Sequence, residues 1–260
     1  MISKIGIVVP TLGKRPDYLQ NCLSSIRAAG DAYILLVAPS DFDSREFLTN
    51  GLIDQFVVDP TRGLPAAINL GISELPKDVQ FTNWLGDDDM LAPNSLRKTT
   101  QALDSHPDIV LVFGSCDYID SKGHVLWTNR SGQWAVPLLR FGPDLIPQPG
   151  SLFRRDVFEA VGRLSSQFDY AFDFDLFVKF SKTGKVRFIP ETLASFRWHP
   201  ESLSVEFRAK SVDEASKVRV SNLPAWLRPI SAIWEYPVKQ ATLVAGSWVN
   251  SNAGKTSQSK

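Results

Sequence analysis

Residues 80–93 read QFTNWLGDDDMLAP: an apolar run from Gln80 to Leu85, a glycine, three consecutive carboxylates, and a turn at Pro93 from which a helix can start. Adjacent like charges raise one another's pKa and cost free energy unless a cation sits among them. A divalent metal is therefore one reading of Asp87, Asp88 and Asp89. The other is a solvated acidic turn, with one Asp capping the helix that starts near Pro93. Both readings put the triplet at the C-terminal end of a strand.

Working outward, strand-like and helix-like runs alternate. Residues 4–10 form a buried strand, since Ile5, Ile7, Val8 and Val9 are β-branched and Pro10 ends the ladder. Leu19, Cys22, Leu23 and Ile26 recur at helical spacing over 16–29, and Gly30 stops that helix. Further strands are expected over 32–38, 54–58, 80–85 and 108–114, with helices over 64–75 and 93–103. Such alternation predicts βα units and a mostly parallel sheet flanked by helices. Ligands of these sheets collect at the C-terminal strand ends, where Pro10-Thr11, Ala38-Pro39-Ser40, Asp59 and the triplet all fall.

Composition narrows the function classes. The chain has 260 residues, 43% of them hydrophobic, enough for one large domain with an appendage. Lys+Arg 28 balance Asp+Glu 28, so no whole-chain charge suits a nucleic-acid partner. Cys22 and Cys116 are the two cysteines, in no zinc-binding pattern, and a reduced, cytoplasmic setting is the default expectation.

Six segments in order carry a resemblance. Residues 7–26 (IVVPTLGKRPDYLQNCLSSI), 62–72 (RGLPAAINLGI) and 84–96 (WLGDDDMLAPNSL) resemble the successive donor-side motifs of family 2 glycosyltransferases of the GT-A, Rossmann-like fold. Residues 148–162 (QPGSLFRRDVFEAVG), 172–179 (FDFDLFVK) and 196–204 (FRWHPESLS) resemble that family's acceptor-side motifs. The resemblance implies a domain over 1–204, with a nucleotide-sugar half (1–114) and an acceptor half (115–204). It further implies an inverting transfer of a sugar, first of all from a UDP-sugar, to a hydroxyl of a cell-surface, cell-wall or lipid-linked glycan. Asp87 and Asp88 would meet the donor, and Asp87, Asp89 and His199 would hold Mn²⁺ or Mg²⁺. Pro10, Thr11, Leu12, Arg62 and Gly63 would line the nucleotide, with Gly13 allowing its backbone to approach the base. Asp173 would be the general base and Asp175 its supporting acid. An acceptor hydroxyl must lose its proton as it attacks, and the aromatics around Asp173 suit a raised pKa. The residue-level alternative is an amphipathic helix carrying Asp169 and Asp173 on a solvated face. The acidic pair that the family usually carries after its second strand is replaced by Val37-Ala38-Pro39-Ser40. A metal-dependent nucleotidyltransferase, or a non-catalytic nucleotide-sugar binding module, is the alternative function.

Beyond 204 the composition changes. Residues 206–220 mix both charge signs and read as a solvated helix. Residues 223–249 carry Trp226, Trp234, Trp248 and Tyr236 among aliphatics, with Pro224, Pro229 and Pro237 expected to interrupt any long helix. From Ser221 onward four Lys/Arg face one Glu, which suits either an interfacial contact at the inner face of the plasma membrane or a homodimer. Residues 250–260 read as a polar tail.

Overall fold

The computed structural model describes residues 3–139, 142–198, 208–242 and 244. In chain order the elements are β1 (Ile5–Pro10), α1 (Pro16–Ala29), β2 (Tyr33–Ala38), α2 (Arg45–Thr49), β3 (Gln55–Val58), α3 (Leu64–Glu74), β4 (Phe81–Trp84), β5 (Met90–Leu91) and α4 (Ser95–Ser105). There follow β6 (Ile109–Ile119), β7 (Val125–Asn129), α5 (Ala135–Leu138), β8 (Leu152–Arg154), α6 (Arg155–Ala160), α7 (Phe172–Thr183), β9 (Lys185–Arg197) and α8 (Arg208–Asn222). A last helix, α9, covers residues 232–242.

One nine-stranded sheet runs in the order β3-β2-β1-β4-β8-β6-β9-β5, with β7 paired to the later part of β6. β1 to β4 are mutually parallel. β8 opposes both β4 and β6, which leaves β6 and its parallel partner β9 aligned with the first four strands. The parallel majority expected from the βα pattern is present, and β5, β7 and β8 are its antiparallel exceptions. β6 crosses residue 114, so both halves share one sheet.

Strand periodicity divides the core. Ile5, Ile7, Val9, Ile34 and Leu36 pack with α1 and α4 on one face, while Val8, Leu35 and Val37 pack with α3 on the other. α3 lies very close to β1. A Cβ on Gly71 would come 2.5 Å from Val8 Cγ1 and 3.0 Å from Val37 Cγ2, so only glycine fits there. Arg154 and Arg155 donate to backbone carbonyls, Arg154 to Leu103 and Ile109 and Arg155 to Pro76 and Leu75.

The C-terminal segment departs from the sequence reading in two ways. α8 is not a wholly solvated helix, because Val212, Val218 and Arg219 are buried. α9 also continues through Pro237. The carbonyl left without its helical donor belongs to Ile233, which is 75% exposed, so water can satisfy it at small cost. No helix among the described residues is long and apolar enough to cross a membrane.

Candidate active site

The acidic triplet occupies the loop between β4 and β5. None of its members caps the next helix: β5 intervenes, and Asn94 is the residue ahead of α4. β5 is clamped to β9 through Met90–Ser195 and Leu91–Ala194, which brings Arg197 beside the triplet. Arg197 donates its backbone N–H to Asp89 Oδ1 at 3.0 Å and its Nε to the Asp88 carbonyl at 3.1 Å. Its guanidinium also lies 4.4 Å from the Tyr18 ring centroid and reaches the carbonyls of Asp120 and Ser121. From the β1–α1 loop, Thr11 Oγ1 donates to Asp87 Oδ2 at 2.5 Å. Arg15 bridges Asp87 Oδ1 at 3.0 Å and Asp88 Oδ2 at 3.1 Å.

Electrostatics follow from that geometry. Burial pushes the Asp87 carboxyl up, partly offset by the Thr11 hydroxyl and Arg15. Burial and the charge of Asp88 push Asp89 well above the usual range, against the Arg197 N–H. Asp87 and Asp89, both with raised proton affinity, offer hard oxygens of the kind that suit a divalent cation. Among the described residues no group of three or more His, Cys, Asp or Glu is arranged to hold a metal. A cation on Asp87 and Asp89 would thus take further oxygens from its substrate. His199, the other expected ligand, lies outside the described residues.

The expected nucleotide contacts spread along the same sheet edge. Pro10 closes β1 opposite Val37, and Leu12 is 61% exposed on the following loop. Arg62 and Gly63 form the turn ahead of α3, where Gly63 takes φ +91°. Gly13 is required by the fold itself as well. With φ +71°, its missing Cβ would meet the Phe42 ring at 2.7 Å, so the glycine accommodates a side chain of the protein itself.

Asp173 lies in the first turn of α7, and Asp169 precedes the helix, so the two do not share a helical face. The Phe172 and Trp84 rings, with centroids 6.0 Å apart, bring the start of α7 against the end of β4, three residues before Asp87. The 148–151 loop converges there too. Gln148 Nε2 donates to Asn83 Oδ1 and to the Trp84 carbonyl, and Asn83 Nδ2 donates to the Ser151 carbonyl. Burial lifts the Asp173 carboxyl to about 6, against the Phe174 N–H that it accepts at 2.8 Å. Asp175 is buried and paired to Lys179 at 2.7 Å.

Sequence reasoning missed two groups. Arg15 lies within the 7–26 segment without being singled out there, and nothing local ties it to residues more than 70 positions away. Asp144 sits in an ordinary-looking loop, yet burial and the charge of nearby Asp173 push its carboxyl well above the usual range. The two carboxyls therefore titrate as one coupled pair.

No protein-family model matches the chain. It is 23% identical to an uncharacterized glycosyltransferase of Rickettsia prowazekii (strain Madrid E), RP339, over 75% of this chain and 64% of that protein. A second uncharacterized glycosyltransferase, RT0329 of Rickettsia typhi (strain ATCC VR-144 / Wilmington), matches at the same identity and coverage. The chain spans about two thirds of these relatives' length. Among solved structures, the mannosyltransferase PcManGT of Pyrobaculum calidifontis in complex with GDP-Man and Mn²⁺ superposes with a TM-score of 0.63 at 14% identity, covering 95% of this chain and 76% of that one. S. aureus TarS 1-349 in complex with UDP gives 0.59 at 13% identity, over 85% and 65%. The curled α/β sheet flanked by helices is thus the fold of these glycosyltransferase structures.

Proposed function

We propose that the protein is an inverting, metal-dependent glycosyltransferase that moves a hexosyl group from a nucleoside diphosphate sugar to a glycan hydroxyl. The observation that carries this reading is the convergence at the end of β4 of the acidic triplet, the 148–151 loop and the start of α7. On this reading the anionic ligands for a diphosphate-bound cation and a carboxylate of raised pKa would flank the same strand end. Thr11, Arg15 and Arg197 hold the triplet in place, while Asp173 accepts the proton of the attacking hydroxyl as the glycosidic bond forms and the nucleoside diphosphate departs. A divalent cation on Asp87 and Asp89 would neutralise charge on the departing diphosphate.

A nucleotide-sugar half within 1–114 and an acceptor half within 115–204 belong to the same proposal. UDP- and GDP-sugars are the donors to try first, since the structural neighbours are complexes with UDP and with GDP-Man. Incubation with each donor and Mn²⁺ should release nucleoside diphosphate. Release of pyrophosphate would point to nucleotidyl transfer, and binding without turnover to a non-catalytic module.

For the acceptor we propose a lipid-linked glycan met at a membrane surface. Trp226, Ile230, Ile233, Tyr236 and Val244 are all exposed, whereas the opposite side of α9 is tied down by Glu235 and Lys239. Trp and Tyr on such a face suit the headgroup region of a bilayer. The protein should co-sediment with vesicles, and Trp226→Ser combined with Ile233→Ser should abolish that. A dimer in light scattering that the same changes dissociate would replace the bilayer with a second copy.

A further inference from the structure

α8 reaches into the candidate site at one point that the reading above leaves unused. Glu214, near its middle, accepts three consecutive backbone N–H groups: Asp169 at 3.2 Å on Oε1, and Tyr170 at 2.8 Å and Ala171 at 3.0 Å on Oε2. These donors lie immediately ahead of α7, whose cap residue, Ala171, has no side chain able to accept them. Asp173 follows two residues later. A carboxylate at a helix N-terminus is also favoured by the macrodipole, and here it comes from a different helix. One turn further along α8, buried Arg219 pairs with Glu235 and donates to the Gly142 carbonyl at 3.4 Å, two residues before Asp144. A single helix therefore ties both chain segments that carry the Asp144–Asp173 pair.

We propose that Glu214 is a positioning residue for Asp173, fixing the 169–171 backbone so that the Asp173 carboxylate meets the acceptor hydroxyl. This rests on the assignment of Asp173 as general base. Displacing a reacting group by about 1 Å costs on the order of a hundredfold in rate, so loss of the clamp should act on turnover rather than on donor affinity.

The test is a double-mutant cycle on the full chain, using radiolabelled transfer with Mn²⁺ and whichever donor the parent protein turns over. Each variant is assayed well below its own Tm. Glu214→Ala should lower kcat by roughly ten- to a hundredfold with donor KM within about twofold. Glu214→Gln, which keeps an acceptor oxygen but not the charge, should restore part of the rate, and it carries the test if the Ala variant does not fold. In an Asp173→Asn background neither change at Glu214 should lower the residual rate further. An equal loss at Glu214 in both backgrounds would overturn the positioning role while leaving the base assignment intact. Full activity of Asp173→Asn alone would overturn the base assignment, and this inference with it.

Discussion

At the residue scale, the pKa of Asp173 makes a prediction with a definite sign. Burial raises it from 3.8 to about 6, so the folded protein holds that proton more tightly than the unfolded chain does. Ionising the group costs stability as pH rises between those two values, and the same ionisation creates the base. Transfer should therefore rise through an acid limb near pH 6, an apparent value belonging to the Asp144–Asp173 pair. Asp173→Asn should cut transfer by roughly a hundredfold or more, leave Mn²⁺-dependent nucleotide binding near normal, and lose no thermal stability at neutral pH. A variant that kept its rate would exclude the base role. Asp89→Asn separates geometry from charge, because the Asn carbonyl can still accept the Arg197 N–H. Calorimetric titration with nucleoside diphosphate should show Mn²⁺-dependent affinity lost in a folded protein, whereas unchanged affinity would remove Asp89 from the metal site.

At the element scale, α3 shows how tertiary contact overrides local preference. Alanine is favoured over glycine within a helix by about 1 kcal/mol, so Gly71→Ala would stabilise α3 in isolation. In the fold its methyl would meet Val8 at 2.5 Å and Val37 at 3.0 Å. Overpacking of this kind costs about 1–3 kcal/mol, and both contacts lie on central strands with no room to retreat. The expected outcome is a lower urea midpoint, and a rise would show that α3 can shift away from β1. The N-terminal halves of β1 and β4 show the opposite case. Their β-branched and aromatic residues carry the local strand preference that the sheet uses.

At the scale of the whole molecule, the docking of the C-terminal helices depends on a buried ion pair. Burial alone would raise the Glu235 carboxyl, but hydrogen bonds from Arg219 and Ser216 hold it below its ordinary value. The stabilising contribution is thus present above that ordinary value and is lost as pH falls through the lower, folded one. Arg219→Met would leave Glu235 buried without its partner, at a cost of about 3–5 kcal/mol. Exposed Arg163 with Glu159, an i,i+4 pair, is worth only about 0.3–0.5 kcal/mol. Chemical denaturation of Arg219→Met beside Arg163→Met should show a large loss for the first and almost none for the second. Similar midpoints would mean that α8 and α9 dock independently of the pair.

The residue pattern by itself determined the βα alternation, the strand ends where ligands collect, and the placement of the triplet after β4, because hydrophobic periodicity and breakers such as Pro10 and Gly30 act over a few residues. Pairing across long sequence gaps carries no local signal. Only the tertiary structure could bring Arg15 onto Asp87 and Asp88, set Asp144 beside Asp173, or lay Glu214 over the start of α7. The same holds for β7, whose half-exposed residues carry little periodicity, and for Arg154 and Arg155, whose guanidinium groups look solvated until the carbonyls they satisfy are in place. Pro237 was misread for the related reason that a proline's cost in a helix depends on whether the carbonyl it orphans faces water, and only the packing of α9 decides which way Ile233 faces.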